Sequence, residues 1–221
     1  MPSTRGNWSD GGNEAGARLP AAVAQCWGSR NGFKARGRSD THDDARTEGL
    51  AGGTAGGGTV NAANFGPLAE GEPVCGACRP GHLGADLEHW AGLLRESGVS
   101  TVVCLLSEGE SKRWGLPDAY GDRFETGHLP IQDRHLPDPD RLAETLELLE
   151  RAAEGGRVAI HCNAGLGRTG VVGAAWLARQ GYGPREAVEA VEGPPAPRAP
   201  REAIREGNAT EADLYDLLAT V

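Results

Sequence analysis

The run His161-Cys162-Asn163-Ala164-Gly165-Leu166-Gly167-Arg168-Thr169-Gly170 is the part of this 221-residue chain best equipped to do chemistry. A cysteine stands where a short apolar stretch ends, and an arginine follows six residues later. Gly165, Gly167 and Gly170 lie between or just after them. Glycines let a loop turn tightly enough for successive N–H groups to face inward and make a concave anion site. A helix starting near Arg168 adds its positive end at the same point. Arg168 itself offers a planar fork matched to two oxygens of a phosphoryl group. The same dipoles favour a thiolate, so Cys162 reads as a nucleophile competent at neutral pH.

Three other readings compete for these residues. Taken alone, Cys162 would be an ordinary buried cysteine beside a loop; the Cys-x5-Arg-Thr spacing with its glycines outweighs that. Gly165-x-Gly167-x-x-Gly170 also spells a dinucleotide fingerprint, which needs a following strand ending in an acidic residue roughly 20 positions on. Here Gly183-Pro184 opens a second helix and then a Pro-rich stretch instead. A Walker-type loop requires Gly-Lys-Ser/Thr, and the segment has no lysine.

The elements that must hold this loop are legible around it. Val99–Leu106 and Arg157–His161 are β-branched or apolar runs of buried-strand type, and Phe124–Ile131 reads as a further strand. Leu87, Trp90 and Leu94 stand at helical spacing within Ala85–Ser97, closed by Gly98. A strong helix is expected over Pro139–Glu154, with Asp138 as N-cap, Pro139 at its first position and Gly155-Gly156 closing it. Arg168–Gln180 and Pro184–Val191 read as helices, Pro194–Pro200 as a Pro-rich spacer, and Thr210 caps a last short helix bearing Leu214, Leu217 and Leu218. Strands alternating with helices predict an α/β fold: a mostly parallel central sheet flanked by helices, with the phosphate loop at the carboxyl edge of a central strand.

Composition narrows the partners. The net charge of −9 argues against nucleic acid and against an anionic membrane surface, both of which need a basic face. The apolar stretch Val171–Ala178 is far shorter than the ~20 residues of a membrane span. Five cysteines (26, 75, 78, 104 and 162) form no disulfide framework, and a reducing, cytoplasmic setting is expected. Cys75-Gly-Ala-Cys78 lacks the second pair that a zinc site requires, so its cysteines read as strand residues, with a reversible disulfide to Cys162 as a minor alternative. Residues 1–59 hold 13 of the 34 glycines and no helical or strand period. They are expected to be a disordered segment ahead of a domain at 60–221, which then carries a charge of −10.

The loop resembles the signature of cysteine-dependent protein tyrosine phosphatases, His-Cys-x-x-Gly-x-x-Arg-Ser/Thr-Gly, at every fixed position. Its surroundings are similar to the small atypical dual-specificity phosphatases: Asn64-Phe65, the run Gly76–Gly81, Gly98-Val99, Cys104-Leu105-Leu106-Ser107-Glu108, and Leu129-Pro130-Ile131-Gln132-Asp133. The likeness spans about Asn64–Gly193; residues 194–221 match no pattern. It implies a dual-specificity-phosphatase-like fold and metal-independent, cofactor-free hydrolysis of phosphomonoesters through a phosphocysteine. The implied substrates are phosphotyrosine and phosphoserine/threonine proteins or small phosphomonoesters; the sequence leaves the oligomeric state open, with a monomer favoured. Cys162 would attack phosphorus, and the loop at Asn163, Ala164, Gly165, Leu166 and Gly167 would hold the phosphoryl oxygens together with Arg168. Thr169 would hydrogen-bond the sulfur, and His161 would brace the loop.

Two aspartates compete as general acid. Leu136-Pro137-Asp138 copies the Trp-Pro-Asp of larger enzymes, but Asp138 already serves as a helix cap. Asp133 lies 29 residues before Cys162 in the run shared with the small enzymes and is preferred. Glu108, Glu110 and His135 read as solvated loop residues. A phosphoinositide substrate would want basic residues within the loop, where Asn163, Ala164 and Leu166 supply none. An RNA 5′-phosphate substrate lacks its basic track. A phosphate-binding module without catalysis would need neither Cys162 nor Asp133. A further expectation is that synthesis starts near Val60; the intact mass of the native protein tests it, and a mass that includes residues 1–59 overturns it.

Overall fold

A computed structural model describes residues 62–221; the expectations for residues 1–59 lie outside the described residues. The five strands are β1 (Gly66–Pro67), β2 (Val74–Cys78), β3 (Val99–Cys104), β4 (Glu125–His128) and β5 (Arg157–Cys162), in the sheet order β1-β2-β5-β3-β4. Only the short β1–β2 pair is antiparallel, and β5 is the middle strand. The sheet is thus mostly parallel, with the glycine-rich loop after Cys162 leaving the carboxyl end of its central strand, where open α/β sheets offer a crevice. Strand β4 is shorter than the expected Phe124–Ile131, and Asp133 lies in a turn beyond it.

The helices are α1 (Leu87–Glu96), α2 (Glu108–Trp114), α3 (Pro139–Gly155), α4 (Gly167–Arg179), α5 (Pro184–Glu192) and α6 (Glu211–Leu218). Their starts follow local chemistry. Asp86 accepts from His89 N–H at 2.8 Å, Asp138 accepts from Arg141 N–H at 3.0 Å, and Thr210 accepts from Asp213 N–H at 3.2 Å. Each side chain satisfies an orphan donor of its helix's first turn. Helix α2 was not foreseen; Ser107 and Glu110 cap it reciprocally, and Gly115 ends it in the left-handed region at φ 64°.

Two apolar layers flank the sheet. On one face Val103, Leu105, Val158 and Ile160 pack with Leu142, Leu146 and Leu149 of α3 and the buried residues of α4 to α6. On the other, Val102, Cys104, Leu106 and Ala159 pack with Trp90 and Leu94 of α1 and with Tyr120 and Phe124. Because strand side chains alternate between faces, consecutive residues of β5 serve opposite layers. Cys162 falls on the α4 side, and His161 falls among the aromatic rings of the other. Helix α4 is buried along Arg168–Leu177, which its small residues Gly170, Gly173, Ala174 and Ala175 permit.

The Pro194–Pro200 stretch is not a spacer. It is a strap across the back of the loop that follows β5: Ala199 N–H donates to Leu166 C=O at 3.4 Å, and Arg198 is 2% exposed. Gly170 is small because Pro200 crosses it there; a Cβ would stand 2.7 Å from the Pro200 nitrogen.

Replacing the cap, Asp138→Ala, is expected to lower the unfolding free energy by about 1 kcal/mol, read as a lower urea midpoint at unchanged slope. Leu146→Ala, which empties part of a fully buried site, should cost about 3 kcal/mol in the same assay.

Candidate active site

The loop's orientation follows from where its carbonyls go. The carbonyl of Cys162 is bonded to His161 Nδ1 at 3.1 Å, and that of Asn163 accepts from Arg79 N–H at 3.1 Å. Ala164 C=O accepts from Asn64 Nδ2 at 3.0 Å, and Gly165 C=O accepts from Arg198 Nη1 at 2.8 Å. Leu166 C=O accepts from Gly170 N–H at 2.7 Å inside α4. Five successive carbonyls are thereby tied to groups around the loop's outside. In a planar trans peptide the N–H opposes the C=O, so the amides of Asn163 to Gly167 face the other way, into the loop. Gly165 is required here twice over: its φ is +75°, and a Cβ would lie 2.4 Å from Ala77 O. Helix α4 has no side-chain cap at Leu166, which leaves its positive end open toward the same cradle.

Within that cradle Thr169 Oγ1 donates to Cys162 Sγ at 3.2 Å, with both residues buried. Arg168, also buried, is gripped by Glu110 through Nη1–Oε2 at 2.5 Å and Nη2–Oε1 at 3.0 Å. Its Nη2 reaches Asp133 Oδ1 at 3.0 Å, and its Nη1 donates to Ile131 C=O at 3.1 Å. The Nε of Arg168 is buried without a hydrogen-bond partner among the described residues, so one donor of the fork remains for a ligand. A cavity of about 120 Å³ is lined by Cys162, Arg168, Asp133, Arg134, Glu202 and Ala203, among others. Larger grooves exist, including one of about 430 Å³ beside Arg79 and Trp114, but they lack Cys162 and Arg168.

The reading of Glu110 as a solvated loop residue is wrong. Its carboxylate joins Arg168 to the N-cap of α2, accepting from Ser107 N–H at 3.0 Å and Ser107 Oγ at 2.8 Å. Partial burial pushes its carboxyl up, but the bonds from Arg168 and Ser107 outweigh that and hold it down at about 2. The sequence did carry a trace of it, the Ser107-x-x-Glu110 capping box, but that pattern marks a helix start and says nothing of an arginine 58 residues away.

Asp133 sits at the cavity mouth with a side chain 59% exposed, whereas Asp138 caps α3. His161 is fully buried edge-on to the stacked Trp90 and Tyr120 rings, and its Nε2 meets Tyr120 Oη at 2.5 Å. Burial lowers it to about 4, so it is neutral at pH 7, bracing Cys162 C=O with one nitrogen while the other faces the tyrosine hydroxyl. Cys78 pairs in register with Cys162 and Cys75 with Ala159, both in β2 as strand residues. Among the described residues no three His, Cys, Asp or Glu side chains are grouped to hold a metal ion. None of the described helices is long and apolar enough to cross a membrane.

Comparison with known proteins fits this geometry. Residues 75–182 match the family described as Tc-R-P, the DSP-PTPase phosphatase of polymorphic toxin systems. Among solved structures, Tk-PTP in its active form is 29% identical over 71% of this chain and 98% of its own, with a TM-score of 0.51. The human tyrosine phosphatase-like serine/threonine/tyrosine-interacting protein is 17% identical over 71% and 93%, at 0.53. Kinase associated phosphatase with serine in place of its catalytic cysteine is 20% identical over 66% and 83%, at 0.50. No curated protein matches in sequence.

Glu110→Gln should misplace the Arg168 fork and lower kcat/KM by about a hundredfold in steady-state assays. The ionised Glu110 contributes stability that is present above its ordinary carboxylate range and is lost as the pH falls toward about 2. The variant should therefore show a smaller loss of stability over that acid range, measured by urea unfolding at a series of pH values.

Proposed function

Since the chain belongs to the cysteine-based protein tyrosine phosphatase superfamily, with a dual-specificity-like fold, and is a phosphatase of that kind, we propose that it dephosphorylates phosphotyrosine and phosphoserine/threonine proteins through a phosphocysteine intermediate. The observation that carries the reading is the meeting of Cys162, Arg168 and Asp133 around one small cavity whose loop carbonyls all turn outward. In the first step the Cys162 thiolate attacks phosphorus, forming the S–P bond as the P–O bond to the leaving group breaks. The amides of Asn163 to Gly167 and the Arg168 fork hold the three non-bridging oxygens as charge moves across them. Asp133 delivers a proton to the leaving oxygen from the open side of the cavity. In the second step Asp133 takes a proton from water, which attacks phosphorus and restores the thiol sulfur as a thiolate. Thr169 Oγ1, which donates to Sγ at 3.2 Å, stabilises the departing sulfur.

Substrate breadth follows from the entrance. The loop positions Asn163, Ala164 and Leu166 carry no cation for a second phosphate, which disfavours a phosphoinositide. The phosphatase domain is acidic, which disfavours RNA. The exposed Asp133 and the small cavity suit a phosphoryl group presented on a protein side chain. The match to a family described as a polymorphic toxin system phosphatase supports placing this activity in such a system.

Hydrolysis of p-nitrophenyl phosphate by residues 60–221 should survive EDTA and vanish in Cys162→Ser; retained activity in that variant overturns the mechanism. Asp133→Asn should cost roughly a hundredfold on substrates with poor leaving groups and far less on p-nitrophenyl phosphate, whose leaving group needs little protonation. Asp138→Ala should match wild type on both, and an equal loss there would move the acid to Asp138.

A further inference from the structure

Two buried arginines meet the phosphate loop, and their charges are balanced in opposite ways. Arg168 has two carboxylates on it, Glu110 and Asp133, so the group as a whole carries no surplus positive charge before substrate arrives. Arg198 has none. Its four bonds all go to carbonyls: Asn64 at 2.9 Å and Gly165 at 2.8 Å from Nη1, Gly66 at 3.3 Å and Gly76 at 2.8 Å from Nη2. Its Nε has no hydrogen-bond partner among the described residues, and the side chain is 2% exposed.

A cation buried without a counter-charge destabilises a fold, so its retention points to an anion nearby. The ionisable groups that act on Arg198 are Cys162, Cys75 and Cys78. Burial pushes Cys75 up to about 11 and also raises Cys78, which keeps both neutral at pH 7. Of the three, Cys162 is the one that lines the cavity with Arg168 and Asp133. The guanidinium is also placed to act there. It lies against Gly76, where an added Cβ would stand 2.7 Å from Arg198 Cζ and 2.8 Å from Thr169 Cγ2, and Thr169 is the residue that donates to Cys162 Sγ.

We propose that Arg198 is the fixed counter-charge of the phosphate loop, favouring the thiolate of Cys162 and drawing in the phosphoryl dianion while its fork keeps the Gly165 carbonyl turned outward. Arg198 touches no reacting atom; it is a positioning and electrostatic residue supplied by the strap. The inference rests on the phosphatase reading for its purpose, but its test does not require turnover. Besides Arg198, Asp133, Arg134 and Glu202 share the cavity of Cys162, and the other groups facing it are Arg168, Thr169, Cys78 and Cys104. The last is pushed up to about 12 by burial, so neither neighbouring thiol titrates near neutrality.

The test is the rate of alkylation of Cys162 by iodoacetamide, followed by mass spectrometry in the full chain and in Arg198→Met and Arg198→Lys, with circular dichroism confirming the fold. Arg198→Met should react at least about tenfold more slowly than wild type near pH 6 and nearly as fast near pH 9, where the thiolate forms without help. Arg198→Lys keeps the charge and loses the fork, so it should retain most of the reactivity near pH 6 while binding orthovanadate more weakly. Wild-type reactivity of Arg198→Met near pH 6, or equal losses in both variants at both pH values, overturns the proposal. Should Arg198→Met not fold, Arg198→Lys decides: retained low-pH reactivity with weaker vanadate binding supports the counter-charge, and lost reactivity removes it. A wild type that alkylates as expected but hydrolyses no phosphomonoester would fail the phosphatase reading and leave this one standing.

Discussion

The outward turn of five consecutive carbonyls, from Cys162 to Leu166, is the constraint on which the rest of the molecule depends. A loop of free peptides would gain nothing by aiming its N–H dipoles at one another, because like ends repel. Each carbonyl therefore needs its own partner; those of Cys162 and Leu166 find one close by, and the fold recruits the partners of the other three from widely separated parts of the chain. Asn64 comes from before β1, Arg79 from just after β2, and Arg198 from the strap that follows α5. The central position of β5 lets all of these reach the same loop from both sides and from behind.

Charge is arranged around the loop with the same economy. The domain is strongly acidic, yet the cradle is built from amides, one helix end and two arginines. Glu110 and Asp133 hold Arg168 in place and quench its charge. The carbonyls around Arg198 orient its fork and leave its charge unquenched. One arginine thus serves as a positioned clamp and the other as a standing potential, a division possible because carbonyl oxygens accept hydrogen bonds without carrying net charge.

The two-residue alternation of β5 separates two duties that neighbouring residues could not otherwise share. Cys162 emerges on the side of α4, whose Thr169 donates to its sulfur. His161 is sent to the opposite layer, among Trp90, Tyr120 and Phe124, where burial keeps it neutral. Trp90 is itself fixed by an Nε1–H bond to Cys78 C=O at 2.8 Å, so the aromatic layer is tied to the strand next to the loop. A protonated imidazole beside Arg168 would be repelled; the dry aromatic setting removes that conflict.

The sequence by itself determined what short-range chemistry determines. Asp138 and Thr210 announce helix starts because a cap bonds an amide only three residues away. The apolar spacing of Leu142, Leu146 and Leu149 announces a buried face for the same local reason. The loop was legible because nucleophile, glycines and arginine all fall within ten residues. Tertiary structure alone decided the rest. Glu110 carries the pattern of a helix cap whether or not an arginine lies above it, and Arg198 sits in a Pro-rich stretch that looks like a connector. Their partners are 58 and between 33 and 134 residues distant, and no short-range pattern encodes which distant groups a carboxylate or a guanidinium will meet. Burial made both matter: away from water, a charge must find its partners within the fold, and only the packed chain fixes which they are.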